Sequence, residues 1–363
     1  MRPSPSSTKT RLYCSNVEKS TCSSYVFHYC RSENVAIEAL TPVRLCGGLG
    51  NQLFQFAAGR SLAERWSAQL ILDATVFFQA IERRKFALGA YPINAKVISD
   101  GYAYPPTRPV VTLPRPAGED QRRISLVDRV LYKMGRSGDM VKGAMATAAH
   151  GLRRLTGQPA GLRVFVEKSF DYDAAFGQLR AQTYLEGYWQ SERYFADVGD
   201  AVRRELTLPH APNSENARWL ARFRDANSVC VHARRGDYLT ADHFSQHGIC
   251  SPDYYAQAMR LMTERLDRPQ FFVFSDDLAW CRQHVIGENV SFVDANPPDA
   301  ANDELRLMAA CRHHVIANSS LSWWGAWLAR HDGQIVIGPD PWFSGRKETP
   351  DLFPASWIAL PRG

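Results

Sequence analysis

Two adjacent guanidinium groups carry the most distinctive chemistry in this chain. His232-Ala-Arg234-Arg235-Gly236-Asp237-Tyr238 follows the apolar run Val229-Cys230-Val231, which places the arginines at the carboxyl end of a β-strand. Guanidinium never loses its charge and grips phosphate with a fork of parallel N–H donors. Gly236 lets the chain turn sharply behind the pair. Such a pair can hold a diphosphate without a metal ion. The same residues also fit a surface loop whose arginines pair with Asp237, and Arg235-Gly-Asp237 is an adhesion tripeptide.

Gly47-Gly-Leu-Gly-Asn-Gln52 is the second stretch with chemical potential. Glycines between a strand and a helix let backbone amides approach a ligand, and the helix N-terminus favours anions. Asp73 ends the next strand, where a ribose-binding acid would sit in a dinucleotide fold. The third glycine of that fingerprint is Leu53, which leaves an NAD-dependent oxidoreductase using the Gly48–Gly50 turn as an alternative. Asn318-Ser-Ser-Leu-Ser-Trp-Trp-Gly-Ala-Trp-Leu328 is the third stretch. Asn318, Ser319 and Ser320 stand before a helix, as ordinary N-caps or as donors to a phosphate at its N-terminus. The three tryptophans are expected to pack the second domain.

Metal chemistry finds little support. Asp171-Tyr-Asp173 is a formal Asp-x-Asp triplet, but it lies in a polar loop. His313 and His314 are neighbours on a strand, so they point to opposite faces and cannot share an ion. No other His, Cys or Asp cluster has ligand spacing.

The elements that must position these residues alternate. A strand at Val43–Cys46, a helix from about Leu53 to Trp66 and a strand at Leu70–Asp73 make a βαβ unit. Strands at Val164–Glu167 and Thr183–Glu186 resume that sheet. A second alternating series begins at Val229 and runs through strands at Phe271–Phe274, Val290–Val293, His314–Ala317 and Gln334–Ile337, with helices between them. This predicts an α/β protein of two Rossmann-like domains facing a cleft. The expected layout is a poorly packed extension over 1–41, a first domain over 42–208 carrying a basic insert at 101–163, and a second domain over 209–363.

Bulk properties narrow the class. The chain has 363 residues, 45% hydrophobic and 22% charged, as in ordinary soluble proteins. It has no apolar run of membrane-spanning length and no signal-peptide core. Its eight cysteines lack Cys-x-x-Cys pairing, which predicts reduced thiols and a cytoplasmic setting. The net charge of +6 is concentrated between Gly101 and Arg163, where eleven basic residues face four acidic ones. There Ile124, Val127, Leu131 and Met134 recur at helical spacing. That pattern fits a helix packed on its own domain or one resting on an anionic membrane surface at the inner face of the cytoplasmic membrane. Aromatics are not interleaved with the basic residues, so nucleic-acid binding is not expected.

Taken together, the motifs resemble the bacterial and animal α-1,2-fucosyltransferases of glycosyltransferase family 11. The resemblance runs from about Val43 to about Pro341. It rests on the three stretches above, on His247-Gly248 with Tyr254-Tyr255, and on Leu307-Met308-x-x-Cys311-x-His313. It implies a GT-B-like fold and metal-independent, inverting transfer of L-fucose from GDP-β-L-fucose to the 2-hydroxyl of a galactose-terminated glycan. GDP-fucose is then a substrate, and no cofactor is needed. Arg234, Arg235, Ser319, Ser320, Asn318 and Gly48 would surround the diphosphate, and His232 and Glu304 the guanosine. An acid accepts from guanine N1 and N2, although relatives commonly carry aspartate where Glu304 stands, and Glu304 also fits an exposed helix carboxylate. Asp237 is the first candidate general base, with His247 and Asp242 as alternatives, and Asn51 reaches the centre from the other domain. A carbohydrate-binding module without turnover is the remaining alternative.

Overall fold

Short apolar runs buried on both faces cannot stand alone, because they need helices above and below them and pair in parallel. The computed structural model describes residues 39–78, 82, 84–99, 163–239, 247–344 and 350–363. Its strands are β1 Leu40–Arg44, β2 Gln69–Asp73, β3 Lys96–Ile98, β4 Arg163–Val166, β5 Thr183–Glu186, β6 Asn227–Ala233, β7 Pro269–Ser275, β8 Val290–Phe292, β9 His313–Val315, β10 Val336–Asp340 and β11 Ile358–Pro361. Its helices are α1 Leu49–Arg65, α2 Thr75–Phe78, α3 Gly199–Glu205, α4 Ser214–Arg224, α5 Pro252–Arg265, α6 Leu278–His284, α7 Ala301–Ala309 and α8 Ser320–Leu328. The basic insert, the extension before residue 39 and Asp242 lie outside the described residues.

The strands form two sheets, ordered β3-β2-β1-β5-β4 and β11-β10-β9-β6-β7-β8. Every described pairing is parallel. The expected α/β architecture of two Rossmann-like, GT-B-like halves is therefore present. In the second sheet the strand order reverses once, between β6 and β9; in the first, β5 returns beside the central strand β1 without a reversal. In open α/β sheets, ligands bind beyond the carboxyl ends of the strands at such a reversal.

Strand β6 shows how the second sheet is held. Val229, Val231 and Ala233 face a core with Tyr254, Tyr255, Met259 and Met262 of α5. Cys230 faces the opposite core, with Phe272, Phe274, Leu305 and Met308. Residues two apart share a face, so His232 lies on the Cys230 side.

The tryptophans of α8 pack the second domain as expected, Trp323 lying 5.3 Å from Trp357 and donating Nε1–H to the Leu352 carbonyl at 2.9 Å. They also pack the two halves together. Phe54 of α1 lies 4.5 Å from Trp323 and 5.0 Å from Trp324, and Phe195 stacks on Trp324 at 5.4 Å. Trp323 and Trp324 are fully buried. Each buried ring contributes about 2–3 kcal/mol, so this contact is a shared core and not a loose hinge.

Several boundaries also differ. Helix α1 begins at Leu49, not near Leu53. Gly48 takes an extended N-cap conformation (φ −73°, ψ 175°), and the buried residues Leu49, Leu53 and Phe54 all lie on the helix. Strand β1 starts at Leu40, inside the stretch expected to be poorly packed. Edge strands β3 and β11 were not expected. They are short and partly exposed, so alternation gives little signal there.

Candidate active site

The reversal between β6 and β9 brings two of the three stretches together. Strand β6 ends at Ala233 and delivers Arg234 and Arg235. Strand β9 ends at Val315, and Asn318-Ser319-Ser320 follows into α8.

The described partners of the arginines come from the end of β7. Arg234 Nη1 pairs with Asp276 Oδ2 at 3.0 Å, and Arg235 Nε with Asp277 Oδ2 at 3.2 Å. Both acids are themselves fixed. Asp276 Oδ1 accepts from the Arg235 backbone N–H at 2.9 Å, and Asp277 caps α6 by accepting from Trp280 N–H at 3.0 Å. Gly236 makes this possible, because a Cβ there would sit 2.5 Å from Asp276 Oδ2. The guanidinium groups are held before any ligand arrives, which is the preorganisation that charge stabilisation needs.

The two arginines diverge, however. Arg234 lies 5.6 Å from the Tyr238 ring. Arg235 lies 3.9 Å over Trp280 and lines a cavity of about 500 Å³ beside the start of α5, shared with Arg362 and Ser251. Pairing of the arginines with Asp237 is not among the described contacts, and the Asp237 side chain lies outside the described residues. Its backbone opens a short 3-10 turn over Asp237–Leu239.

On the other face of β6, His232 is nearly fully buried and its Nδ1 has no partner among the described residues. Burial pushes its pKa down to about 4, so it stays neutral and can donate or accept one hydrogen bond. Glu304, in the first turn of α7, is not an exposed helix carboxylate. It accepts from Asn296 Nδ2 at 3.2 Å, and burial pushes its pKa up to about 7. It acts electrostatically on Cys230, which places it on the His232 side of the sheet. A buried neutral imidazole and a half-buried carboxylate on one face suit a polar, planar ligand.

Helix α8 starts at Ser319 without a side-chain cap, so its first N–H groups are not satisfied by a side chain there. The N-terminus of α1 meets it. A Cβ on Gly50 would lie 2.5 Å from the Ser320 carbonyl carbon and 2.6 Å from Leu321 N, so only glycine permits the approach. Gly48 likewise caps α1 without a side-chain bond, and the space at its Cβ position is empty. Two uncapped helix N-termini thus converge, and their partial positive charges add. The Asn318 amide is itself held by the protein. Its Nδ2 donates to the carbonyls of His247 at 2.8 Å, Gly248 at 3.2 Å and Trp342 at 3.2 Å, so its amide fastens the surrounding loops.

From the first half, Asn51 Oδ1 accepts from Gln190 Nε2 at 2.9 Å, which ties the start of α1 to the loop after β5. His247 stacks on Tyr238 at 4.8 Å. The remaining motifs are structural. Asp173 caps a 3-10 turn through Ala175 N–H and pairs with Lys168. His313 bonds Asn227 and Ile335, and His314 bonds Met308 and Gln334, which occupies all four ring nitrogens. Among the described residues no three His, Cys, Asp or Glu side chains gather as a metal set, and no helix is long and apolar enough to cross a membrane. Sequence reasoning missed Asp276 and Asp277 as partners. The only signal was their place at the end of the strand after β6.

Two parallel, helix-covered sheets joined by a buried aromatic contact define a GT-B-like protein. The sequence profile of Glycosyl transferase family 11 matches residues 170–360, and the chain belongs to that family. It is 36% identical over 191 residues to an alpha-1,2-colitosyltransferase of Escherichia coli, covering 51% of this chain and 64% of that one. It is 28% identical over 337 residues to the O-antigen biosynthesis glycosyltransferase WbnK of Escherichia coli, covering 87% and 99%. It is 31% identical over 189 residues to galactoside alpha-(1,2)-fucosyltransferase 1 of Bos taurus, covering 48% and 52%. The match thus spans under two-thirds of the first of these relatives and about half of the last. Among solved structures, NodZ alpha-1,6-fucosyltransferase soaked with GDP-fucose aligns with a TM-score of 0.40 at 15% identity, over 80% of this chain and 92% of that one.

Proposed function

We propose that this chain transfers L-fucose from GDP-β-L-fucose to the 2-hydroxyl of a terminal galactoside, with inversion and without a metal. The observation that carries the reading is that Arg234, anchored by Asp276, and the bare N-terminus of α8 follow the neighbouring strands β6 and β9, whose loops are joined by Tyr238 Oη donating to the Asn318 carbonyl at 3.2 Å. When the bond to fucose breaks, the leaving diphosphate gains negative charge. Fixed guanidinium groups and helix N–H donors stabilise that charge, as a metal does elsewhere. The fucose ring takes on oxocarbenium character, as in glycoside cleavage. His232 and Glu304 receive the guanine, and the carboxylate selects it by accepting from N1–H and N2–H. Asp237 takes the acceptor hydroxyl's proton, with His247 and Asp242 as alternatives, and Asn51 approaches from the α1 side. The colitosyltransferase relative supports a second donor sugar, colitose, in the same site.

A screen of GDP-fucose, GDP-colitose, GDP-mannose and UDP-galactose against mixed galactosides, followed by linkage analysis, tests the reading. Arg234→Ala and Arg235→Ala are each expected to lower kcat by at least about a hundredfold, since both remove charge stabilisation from the transition state. Near-normal turnover in both variants would refute the phosphate assignment.

A further inference from the structure

The carboxyl end of β5, beside the central strand of the first sheet, carries chemistry that the three motifs leave unexplained. Strand β5 ends at Glu186, and Gly187-Tyr188-Trp189-Gln190 leaves the sheet beside β1. Glu167, just past β4, accepts from the backbone N–H of Tyr188 at 2.7 Å and of Trp189 at 3.0 Å. Trp189 has φ +58°, a left-handed conformation that a bulky L residue adopts only under constraint. The Glu167 carboxylate supplies that constraint by holding two consecutive amides. Trp189 is thereby fully buried, while the next ring, Tyr188, stays 39% exposed.

Tyr188 begins a row of rings. Phe170 stacks on it at 5.7 Å, and Phe343 meets Phe170 at 4.5 Å. His247 lies 5.9 Å from Phe343 and stacks on Tyr238, beside Arg234. The row runs from the carboxyl end of β5 in the first sheet to the arginine loop of the second. Joining the halves does not require it, because Phe54 and the α8 tryptophans already form a buried contact there.

We propose that Tyr188 and Phe170 form the surface on which the acceptor's pyranose ring stacks, with Glu167 as the positioning residue that presents them. This deepens the reading of the cleft as a sugar-transfer site and rests on it. Galactose has one face of C–H groups, which packs on the electron-rich face of an aromatic ring. A few polar groups beside an aromatic wall then fix the sugar's orientation, and the Gln190 and Asn51 amides lie next to Tyr188 along the chain and across the 2.9 Å bond.

The test uses lactose as acceptor, with binding read by saturation-transfer NMR in the presence of GDP and turnover read by GDP release from GDP-fucose. Tyr188→Ala is expected to raise the lactose KM by at least about tenfold while leaving GDP affinity and Tm unchanged. Tyr188→Phe keeps the ring and should restore the wild-type KM. Glu167→Gln should raise the lactose KM in the same direction, again without moving GDP affinity. A lactose KM within about twofold of wild type in Tyr188→Ala, with transfer intact, would overturn the stacking site alone. Lactose binding that depends on Tyr188 but leads to no transfer would support the stacking site and overturn the transfer reading. A wild-type protein that binds GDP but no galactoside would overturn both.

Discussion

At the scale of single residues, Glu304 offers the sharpest handle, because its ionisation is tied to the ligand it is assigned. Burial holds its pKa near 7, so below that pH the ligand-free protein carries it protonated. A guanine donating N1–H and N2–H needs the carboxylate. GDP affinity is therefore expected to rise from pH 5 to pH 7 and then level off, and calorimetry of wild type against Glu304→Gln checks it. The variant should bind more weakly and show a flat profile. The same shift has a folding consequence of known sign. The folded pKa lies above the ordinary value of 4.5, so the contribution to stability is complete below that value and is lost as pH rises through 7. Glu304→Gln should thus raise the Tm of the ligand-free protein at pH 8 by at least about 2 °C, with little change at pH 4.5. An exposed glutamate would do neither. The arginines and the serines before α8 were legible in the sequence because their types and strand-end spacing announce phosphate chemistry. Asp276, Asp277 and Tyr188 were not, because their roles depend on which strands become neighbours. Parallel pairing of β6 with β7 brings Asp276 to an arginine roughly forty positions earlier, and no local pattern encodes that.

At the scale of elements, the meeting of α1 with α8 governs the site. Gly50 is a point of close approach, with backbone atoms of α8 where a Cβ would be. Backbone cannot rotate away as a side-chain tip can, so Gly50→Ala must push the two helix N-termini apart. The expected result is a loss of GDP affinity of at least about tenfold together with a lower Tm, measured by titration and by thermal melting. Gly177→Ala is the control, since that position faces open space, has no left-handed φ and lies outside the proposed site. The alternation of strand and helix was readable because apolar runs and helical periodicity differ in period. The start of α1 was not, since its glycines read as a turn while Gly50, packed against the other half, lies within the helix. The edge strands β3 and β11 escaped notice for the converse reason. Their pairing is fixed by a neighbour already in place and not by their own residues.

At the scale of the whole molecule, the two sheets are held in a fixed relation by a buried aromatic contact. Phe54→Ala removes the ring that links α1 to Trp323 and Trp324, and is expected to cost about 3–5 kcal/mol in chemical denaturation. If the described halves are one cooperative unit, a single transition should shift as a whole. The sequence suggested two separate domains because each alternating series is complete in itself. It could not show that tryptophans beside the phosphate loop would be shared between the series.

The most direct measurement is GDP release from GDP-fucose by the full chain on addition of lactose, with a chelator present and the product linkage determined. Stoichiometric GDP release with an α-1,2-linked fucosyl product, lost in Arg234→Ala, is the predicted result. Nucleotide binding that leaves Arg234 and Ser319 untouched, as read by a crystal soaked with GDP, would contradict the account.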